Sequence, residues 1–270
     1  MTDNKNIPLL QFPRLKSESG ILHFVTTRRT PAGATPDTSF NLGEYCGDDP
    51  NTVRRNRQTL CDALGIDPTH LYVPRQVHGD RALFCEEIET RCEAKAAHPD
   101  APEADALITG REGICIAVST ADCASVLLYA PDRRIVAAIH AGWRGAVNHI
   151  VTKTLDRMTR ERDCDPQHLR AAIGPSIGPE AFEVGEDVYE AFAAAGMDMT
   201  AISHRNPATG KAHIDLKEAV RRQLLDAGLT EDHIEVSDAC TCARSADFFS
   251  ARREGLHTGR MLTGIMLKNA

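Results

Sequence analysis

Between Ala106 and His140 the chain carries four short apolar runs: Ala106–Thr109, Gly113–Ser119, Ser125–Tyr129 and Ile135–His140. Each is rich in β-branched or small apolar residues and is bounded by turn formers, so all four read as core strands rather than helices. A sheet of this kind needs covering elements, and the flanking sequence supplies them. Helical patterns run over Asn51–Leu64, stopped by Gly65, and from Arg144 to about Arg160, where Val147, Ile150, Val151, Leu155 and Met158 share one face. Two more cover Glu186–Ala195 and Leu216–Ala227, ended by Gly196 and Gly228. Ile21–Thr27, the short Leu71–Val73, Ile234–Val236 and Met261–Leu267 read as further strands.

Thr30–Pro50 is a Gly/Pro/Asp-rich loop, and Cys92–Pro102 is a second, charged one expected to be the most mobile stretch. The first 20 residues lack periodicity and are expected to wrap the surface. No repeat and no linker divides the pattern. The expectation is a single α/β domain over 21–270 with mixed sheets, preceded by an N-terminal surface segment over 1–20.

Composition narrows the function. A chain of 270 residues with 42% apolar and 26% charged residues can bury a sizeable core. The formal charge of −7 leaves no electrostatic footprint for nucleic-acid binding, although a local basic pocket stays open. Nine cysteines, an odd number at irregular spacing in a long chain, do not form a disulfide framework. The N-terminal stretch MTDNKNIPLLQFPRLK lacks the apolar core of a signal peptide. Ile135–Trp143 is about half the length of a membrane span and is flanked by Arg133, Arg134 and Arg144. A cytoplasmic protein with reduced thiols, outside the membrane, is expected. Its Cys and His residues are then candidates for metal binding or catalysis.

Polar residues cluster where the strand patterns break. They are Arg75-Gln76-Val77-His78-Gly79, Thr120-Ala121-Asp122-Cys123 and His140-Ala141-Gly142-Trp143-Arg144-Gly145. One thiolate and two imidazoles suit zinc, and three protein ligands leave a fourth position open, as in catalytic zinc sites. Spacing alone leaves the alternative standing: a buried cysteine packed as a small hydrophobe and histidines bonded to carbonyls. The sequence has no H-E-x-x-H, no G-x-x-x-x-G-K-[ST] and no G-x-S-x-G. His233-Ile234-Glu235 lacks the P-C-x-x-C that a cytidine-deaminase site requires. Cys240-Thr241-Cys242 reads as two unrelated thiols, and Asp80 and Asp122 read as turn formers.

The segments RQVHGD (75–80), ADALIT (104–109), STADCASVLL (119–128), HAGWRG (140–145), GPSIGPEAFEVG (174–185) and FFSARREGLHTGRM (248–261) resemble the YfiH/YlmD-type laccase-domain family. Its members carry the names purine nucleoside phosphorylase, polyphenol oxidase and peptidoglycan editing factor. The resemblance runs from SFNLGEYCGDDPNTVRRNR (39–57) to the C-terminus. It implies an α/β (α+β) sandwich with mixed sheets, distantly related to the catalytic domain of cytotoxic necrotizing factor. It also implies that His78, Cys123 and His140 are catalytic and hold Zn²⁺ rather than copper. Ser125, Ser176 and Ala251 depart from the family pattern, which commonly has Pro, Cys and Tyr there; the missing Tyr bears on how a ring or sugar is held.

The activity so implied is zinc-dependent phosphorolysis of adenosine, inosine or methylthioadenosine, with adenosine deaminase activity beside it. Phosphate calls for planar cationic donors. Arg144, at the expected start of a helix, and Arg75, three residues before His78, are the candidates, with Asn41 for ribose or base. For either arginine the other reading is a surface ion pair. A zinc-bound water, its pKa lowered towards 7, would serve the deamination. The expected partners are a small-molecule nucleoside and phosphate, and the expected state is a monomer or small homo-oligomer.

Three rivals differ in class. A multicopper oxidase builds its sites largely from His-x-His pairs, and no two of the 11 histidines here are two residues apart. A metal-free Cys123–His140 hydrolase or amidase, acting on a murein (peptidoglycan) precursor, needs the thiol that zinc would occupy. The third is a binding protein that keeps zinc for stability.

Overall fold

The computed structural model describes residues 7–30, 39–44, 46–89 and 102–269. The four central runs do form strands: β5 (Ala106–Thr109), β6 (Cys115–Thr120), β7 (Ala124–Ala130) and β8 (Ile135–Ala141). They divide between two sheets. A six-stranded sheet has the order β13-β9-β7-β8-β5-β4, where β13 is Ile234–Val236, β9 is Arg170–Ile173 and β4 is Ala82–Phe84. A five-stranded sheet has the order β1-β2-β14-β6-β3, with β1 Leu9–Leu10, β2 Ile21–Thr26, β14 Met261–Leu267 and β3 Leu71–Tyr72. Both are mixed. β13–β9, β4–β5 and β3–β6 pair in parallel, and the other neighbours pair antiparallel.

The two sheets pack face to face. Leu107, Leu127, Val136 and Ala138 from one meet Ile116, Val118, Ile265 and Leu267 from the other, all buried. The six-stranded sheet is covered on its far side by α5 (Ile150–Arg162) and α8 (Leu216–Asp226), through Val151, Leu155, Met158, Val220 and Leu224. Helix α2 (Pro50–Leu64) covers the far side of the five-stranded sheet, placing Leu60 and Cys61 against Phe24, Cys115 and Leu262. Four layers result, and burial on both faces explains why the central strands are largely apolar instead of alternating. The close approach of β14 to β2 requires Gly264, where an added Cβ would lie 2.6 Å from the Phe24 ring.

Asp49 caps α2 by accepting the N–H groups of Asn51 and Thr52, and Gly65 ends it in the left-handed region at φ 70°. The expected helix from Arg144 is two helices. α4 (Trp143–Val147) ends at Asn148, and His149 at φ 58° turns the chain into α5. Residues 7–20 contain β1, paired with β2, and α1 (Pro13–Lys16), whose Leu15 is buried. His23 fixes this segment, because its Nε2 accepts the Phe12 N–H at 2.8 Å.

A third sheet escaped the sequence reading. β10 (Glu183–Val184), β12 (Ala212–Ile214) and β11 (Ser203–Arg205) form it, beside α6 (Glu186–Ala194) and α7 (Met199–Ile202). α3 (Cys85–Glu89) and α9 (Ala251–Glu254) complete the elements. The expected loop Cys92–Pro102 lies outside the described residues except for Pro102, as do 31–38 and Tyr45 of Thr30–Pro50. Eight cysteines are described, and all are free thiols. No helix among the described residues is long and apolar enough to cross a membrane.

Candidate active site

His78, Cys123 and His140 come together although 45 and 17 residues separate them along the chain. Their ligating atoms all lie within 4.8 Å of one another. β8 delivers His140, which sits opposite Ser125 in the β7–β8 pair, and Cys123 immediately precedes β7. His78 arrives on the turn after β3, with its own backbone at φ 58°. Gly142 keeps the cluster open: a Cβ there would sit 3.0 Å from His78 Cδ2 and 3.1 Å from Cys123 Sγ.

Asp105, just before β5, holds the turn and the ring together. Its Oδ1 accepts the His140 Nδ1–H at 2.8 Å and the His78 N–H at 3.0 Å. Its Oδ2 accepts the Gly79 N–H at 2.7 Å and the Val77 N–H at 3.3 Å. Four N–H groups thus converge on one fully buried carboxylate, with the His140 N–H donating to the Asp105 carbonyl at 2.7 Å beside them. Gln76 pins the same turn to β6, exchanging bonds with the Ser119 carbonyl and N–H at 2.8 and 2.7 Å. Because Nδ1 of His140 is committed to Asp105, Nε2 is the atom left for a ligand, the arrangement that commonly orients metal-binding histidines.

The charges are mutually dependent. Burial disfavours a thiolate at Cys123, but the positive His140 and hydrogen bonds from His140 and His78 prevail and bring the thiol down to about 6. Burial likewise opposes charge on His140, yet the Cys123 thiolate and the Asp105 carboxylate raise it to about 9. Burial alone would push Asp105 up; bonds from His140 and the turn N–H groups hold it below the usual carboxylate range. Without an ion, the pair therefore rests as thiolate and imidazolium near neutral pH.

The cluster opens into a cavity of about 490 Å³. Val73, Trp143, Ile177, Phe182 and Leu216 give it an apolar wall, and Arg57, Arg252 and Arg260 bring positive charge. The Arg252 guanidinium is held by the carbonyls of Ala181 and Glu183 at 2.8 and 3.0 Å, and that of Arg260 by carbonyls including Leu256 and Gly259. Arg57 bonds to Glu44 and to the Leu42 carbonyl. Ala251, one of the departures from the family pattern, lines the cavity; Ser125 is buried and donates to Thr263 Oγ1 at 3.0 Å, and Ser176 is buried.

The three residues expected to bind substrate lie off this wall. Arg75 is exposed and pairs with Glu103 at 3.1 Å. Arg144 is exposed and stacks on the Trp143 ring at 4.2 Å, in a helix of only five residues. Asn41 is buried, and its amide is committed to the protein, accepting from the Gly43 and Arg260 N–H groups and donating to Asp48. Asp80 pairs with Lys153, and Cys240 accepts the Gly178 N–H. Asp105 went unnoticed in the sequence; an acid set directly before a wholly apolar strand was the available signal. Arg252 and Arg260 stand within the segment 248–261 without marking themselves.

The family model described as multi-copper polyphenol oxidoreductase laccase matches residues 22–268. A purine nucleoside phosphorylase of Bacteroides thetaiotaomicron is 43% identical over 97% of this chain and 97% of its own. Adenosine deaminase RL5, from an unknown prokaryotic organism, is 41% identical over 94% and 96%. The crystal structure of YlmD from Geobacillus stearothermophilus superposes with a TM-score of 0.85 at 32% identity, covering 93% of each chain. That of YfiH from Bacillus licheniformis gives 0.83 at 30% identity, covering 92% and 93%.

Proposed function

Because the chain belongs to the multi-copper polyphenol oxidoreductase laccase family, we propose that it is a zinc-dependent purine nucleoside phosphorylase with adenosine deaminase activity beside it. Adenosine, inosine and methylthioadenosine are the substrates assigned. The observation that carries this reading is the two-imidazole, one-thiolate cluster inside a cavity with both an apolar wall and arginines.

The residues fit zinc. Two nitrogens and a soft sulfur are its ordinary donors, and they are held close together with one histidine oriented by a carboxylate. Among the described residues this is the one group of three or more such donors near enough to hold an ion, which suits a single zinc better than several coppers. Bound by His78, Cys123 and His140, zinc would supply Lewis-acid polarisation of a substrate oxygen or of water.

The protein's own groups do the rest. Arg252 and Arg260, tethered through carbonyls, keep their charge for phosphate, and these replace Arg75 and Arg144 in that role. Trp143 and Phe182 are the aromatic side chains that line the cavity, suited to contact with a purine. Asp105 retains the Nδ1 proton of His140 throughout and so fixes which nitrogen faces the cavity.

A phosphate-dependent nucleoside assay read by chromatography tests the proposal. Free base and ribose 1-phosphate should appear together, and Arg252→Ala should raise KM for phosphate at least about tenfold, as expected for loss of a charged donor. Base release that ignores phosphate would refute phosphorolysis. One observation favours a second reading: Asp105, His140 and a Cys123 thiol lowered to about 6 also form a cysteine-nucleophile arrangement. Amidase activity on a murein precursor that survives chelation would select it.

A further inference from the structure

Asp122 precedes Cys123 and occupies a backbone conformation that disfavours any residue but glycine, at φ 96°. Holding a β-carbon there is strained, so something must retain it. Four contacts do. The Asp122 carbonyl accepts the Ile177 N–H at 2.9 Å. Its Oδ1 accepts the Thr241 hydroxyl at 2.6 Å. Its Oδ2 accepts the Ser250 hydroxyl at 3.1 Å and the Arg252 N–H at 2.7 Å. The three partners of the carboxylate lie 119, 128 and 130 residues away along the chain.

Among the described residues no Lys, Arg or His side chain forms an ion pair with this carboxylate, so its charge is matched by neutral donors alone. An asparagine would turn an NH₂ group on at least one of them. Aspartate is therefore the side chain that satisfies all three donors at once.

The consequence is geometric. The residue next to the cysteine of the cluster holds the backbone of Arg252, whose guanidinium is fixed in turn on the carbonyls of Ala181 and Glu183. The thiol side and the cationic side of the cavity thus hang from one side chain.

We propose that Asp122 is a positioning residue that sets the cationic α9 segment relative to the Cys123 donor, so that anion binding and metal retention are coupled through its carboxylate. This rests on the reading of Cys123 as a zinc ligand and Arg252 as a phosphate contact. Asp122 also borders the cavity, but its carboxylate oxygens are taken up by Thr241, Ser250 and the Arg252 N–H, and it acts through these neighbours.

Asp122→Gly separates the carboxylate from the backbone conformation, because glycine adopts φ 96° without strain. If the conformation alone mattered, the variant would match the parent. Three measurements decide. Amide hydrogen exchange at Arg252 should quicken at least about tenfold in the variant, because its acceptor is gone. Release of Zn²⁺ to a chelator should quicken about 10–100-fold, the usual effect of removing an outer partner of a metal site. KM for phosphate should rise about tenfold while KM for nucleoside moves less than about threefold, and Arg252→Ala should add little to that rise because both changes act through one group.

Unchanged exchange at Arg252, or zinc release and phosphate KM both equal to the parent's, would overturn the proposal. Should the parent neither hold zinc nor use phosphate, the proposed function fails, and exchange at Arg252 still decides whether the carboxylate holds α9. If Asp122→Gly does not fold, Thr241→Val removes the hydroxyl that Asp122 Oδ1 accepts and leaves the Ser250 cap of α9 in place. A phosphate KM raised about threefold supports the proposal there, and an unchanged one overturns it.

Discussion

Replacing Asp105 by Asn preserves the shape of a fully buried side chain and removes only its charge and half of its accepting capacity. Four N–H groups, from Val77, His78, Gly79 and the His140 ring, now share two oxygens. An amide has one oxygen, so two of the four donors would face an NH₂ group. Each bond to a charged acceptor is worth about 1.5–3 kcal/mol, which places the loss at about 3–6 kcal/mol. That is a large part of the 5–15 kcal/mol typical of a whole domain. Urea unfolding of zinc-stripped parent and variant measures it without involving the metal. The same exchange frees the His140 ring to take the other tautomer, so zinc affinity should fall about 10–100-fold in a parallel titration. Stripped Asp105→Asn protein as stable as the parent to within about 1 kcal/mol would refute the assigned role of this carboxylate.

Three further outcomes follow from other parts of the molecule. Gly142→Ala should weaken zinc binding while leaving the fold intact, because its Cβ would press on His78 and Cys123; a zinc affinity equal to the parent's would count against the cluster as the binding site. In zinc-free protein, alkylation of Cys123, followed on its own peptide by mass spectrometry, should reach half its plateau rate near pH 6, and a midpoint near 9 would show that His140 does not stabilise the thiolate. His23 is held down to about 4, chiefly by burial, so both folded and unfolded chains carry it neutral above pH 6.5 and no stability is at stake there. Below 6.5 the unfolded chain takes the proton first, so stability falls by about 3 kcal/mol by pH 4 at about 1.36 kcal/mol per pH unit. His23→Gln should flatten that part of the stability–pH curve, and an equally steep curve in the variant would exclude His23 as the source.

What the sequence discloses depends on how local the cause is. β5 and β14 match their predicted runs residue for residue, because turn formers close each run and burial on both faces favours continuous hydrophobicity, and β13 matches its own although only Ile234 of it is buried. The break between α4 and α5 is hidden. Val147, Ile150 and Val151 keep helical spacing across it, and Asn148-His149 carries neither Gly nor Pro. The strands β10, β11 and β12 have two or three residues each, too few to show a period.

At the site, His78, Cys123 and His140 were legible as polar residues ending strand patterns, and family resemblance joined them. Asp105 was not, because one acid beside Ala104 and Ala106 looks like a strand boundary until its four N–H partners are seen. Arg75 and Arg144 adjoin the motifs in sequence but are engaged with Glu103 and the Trp143 ring and do not line the cavity. The arginines that line it come from residues 57, 252 and 260, brought in by α2 and by the segment from α9 to β14. Proximity along the chain says where the backbone goes, and the direction of a side chain is settled only by packing.

Metal content and activity measured on the same preparation test the zinc mechanism most directly. The purified protein should contain about one zinc per chain, as a three-donor site with one open position requires. Stripping at neutral pH should abolish phosphate-dependent release of purine base, and returning Zn²⁺ alone should restore it. Full activity in protein shown by elemental analysis to be free of zinc would contradict the mechanism and leave Cys123 as the nucleophile.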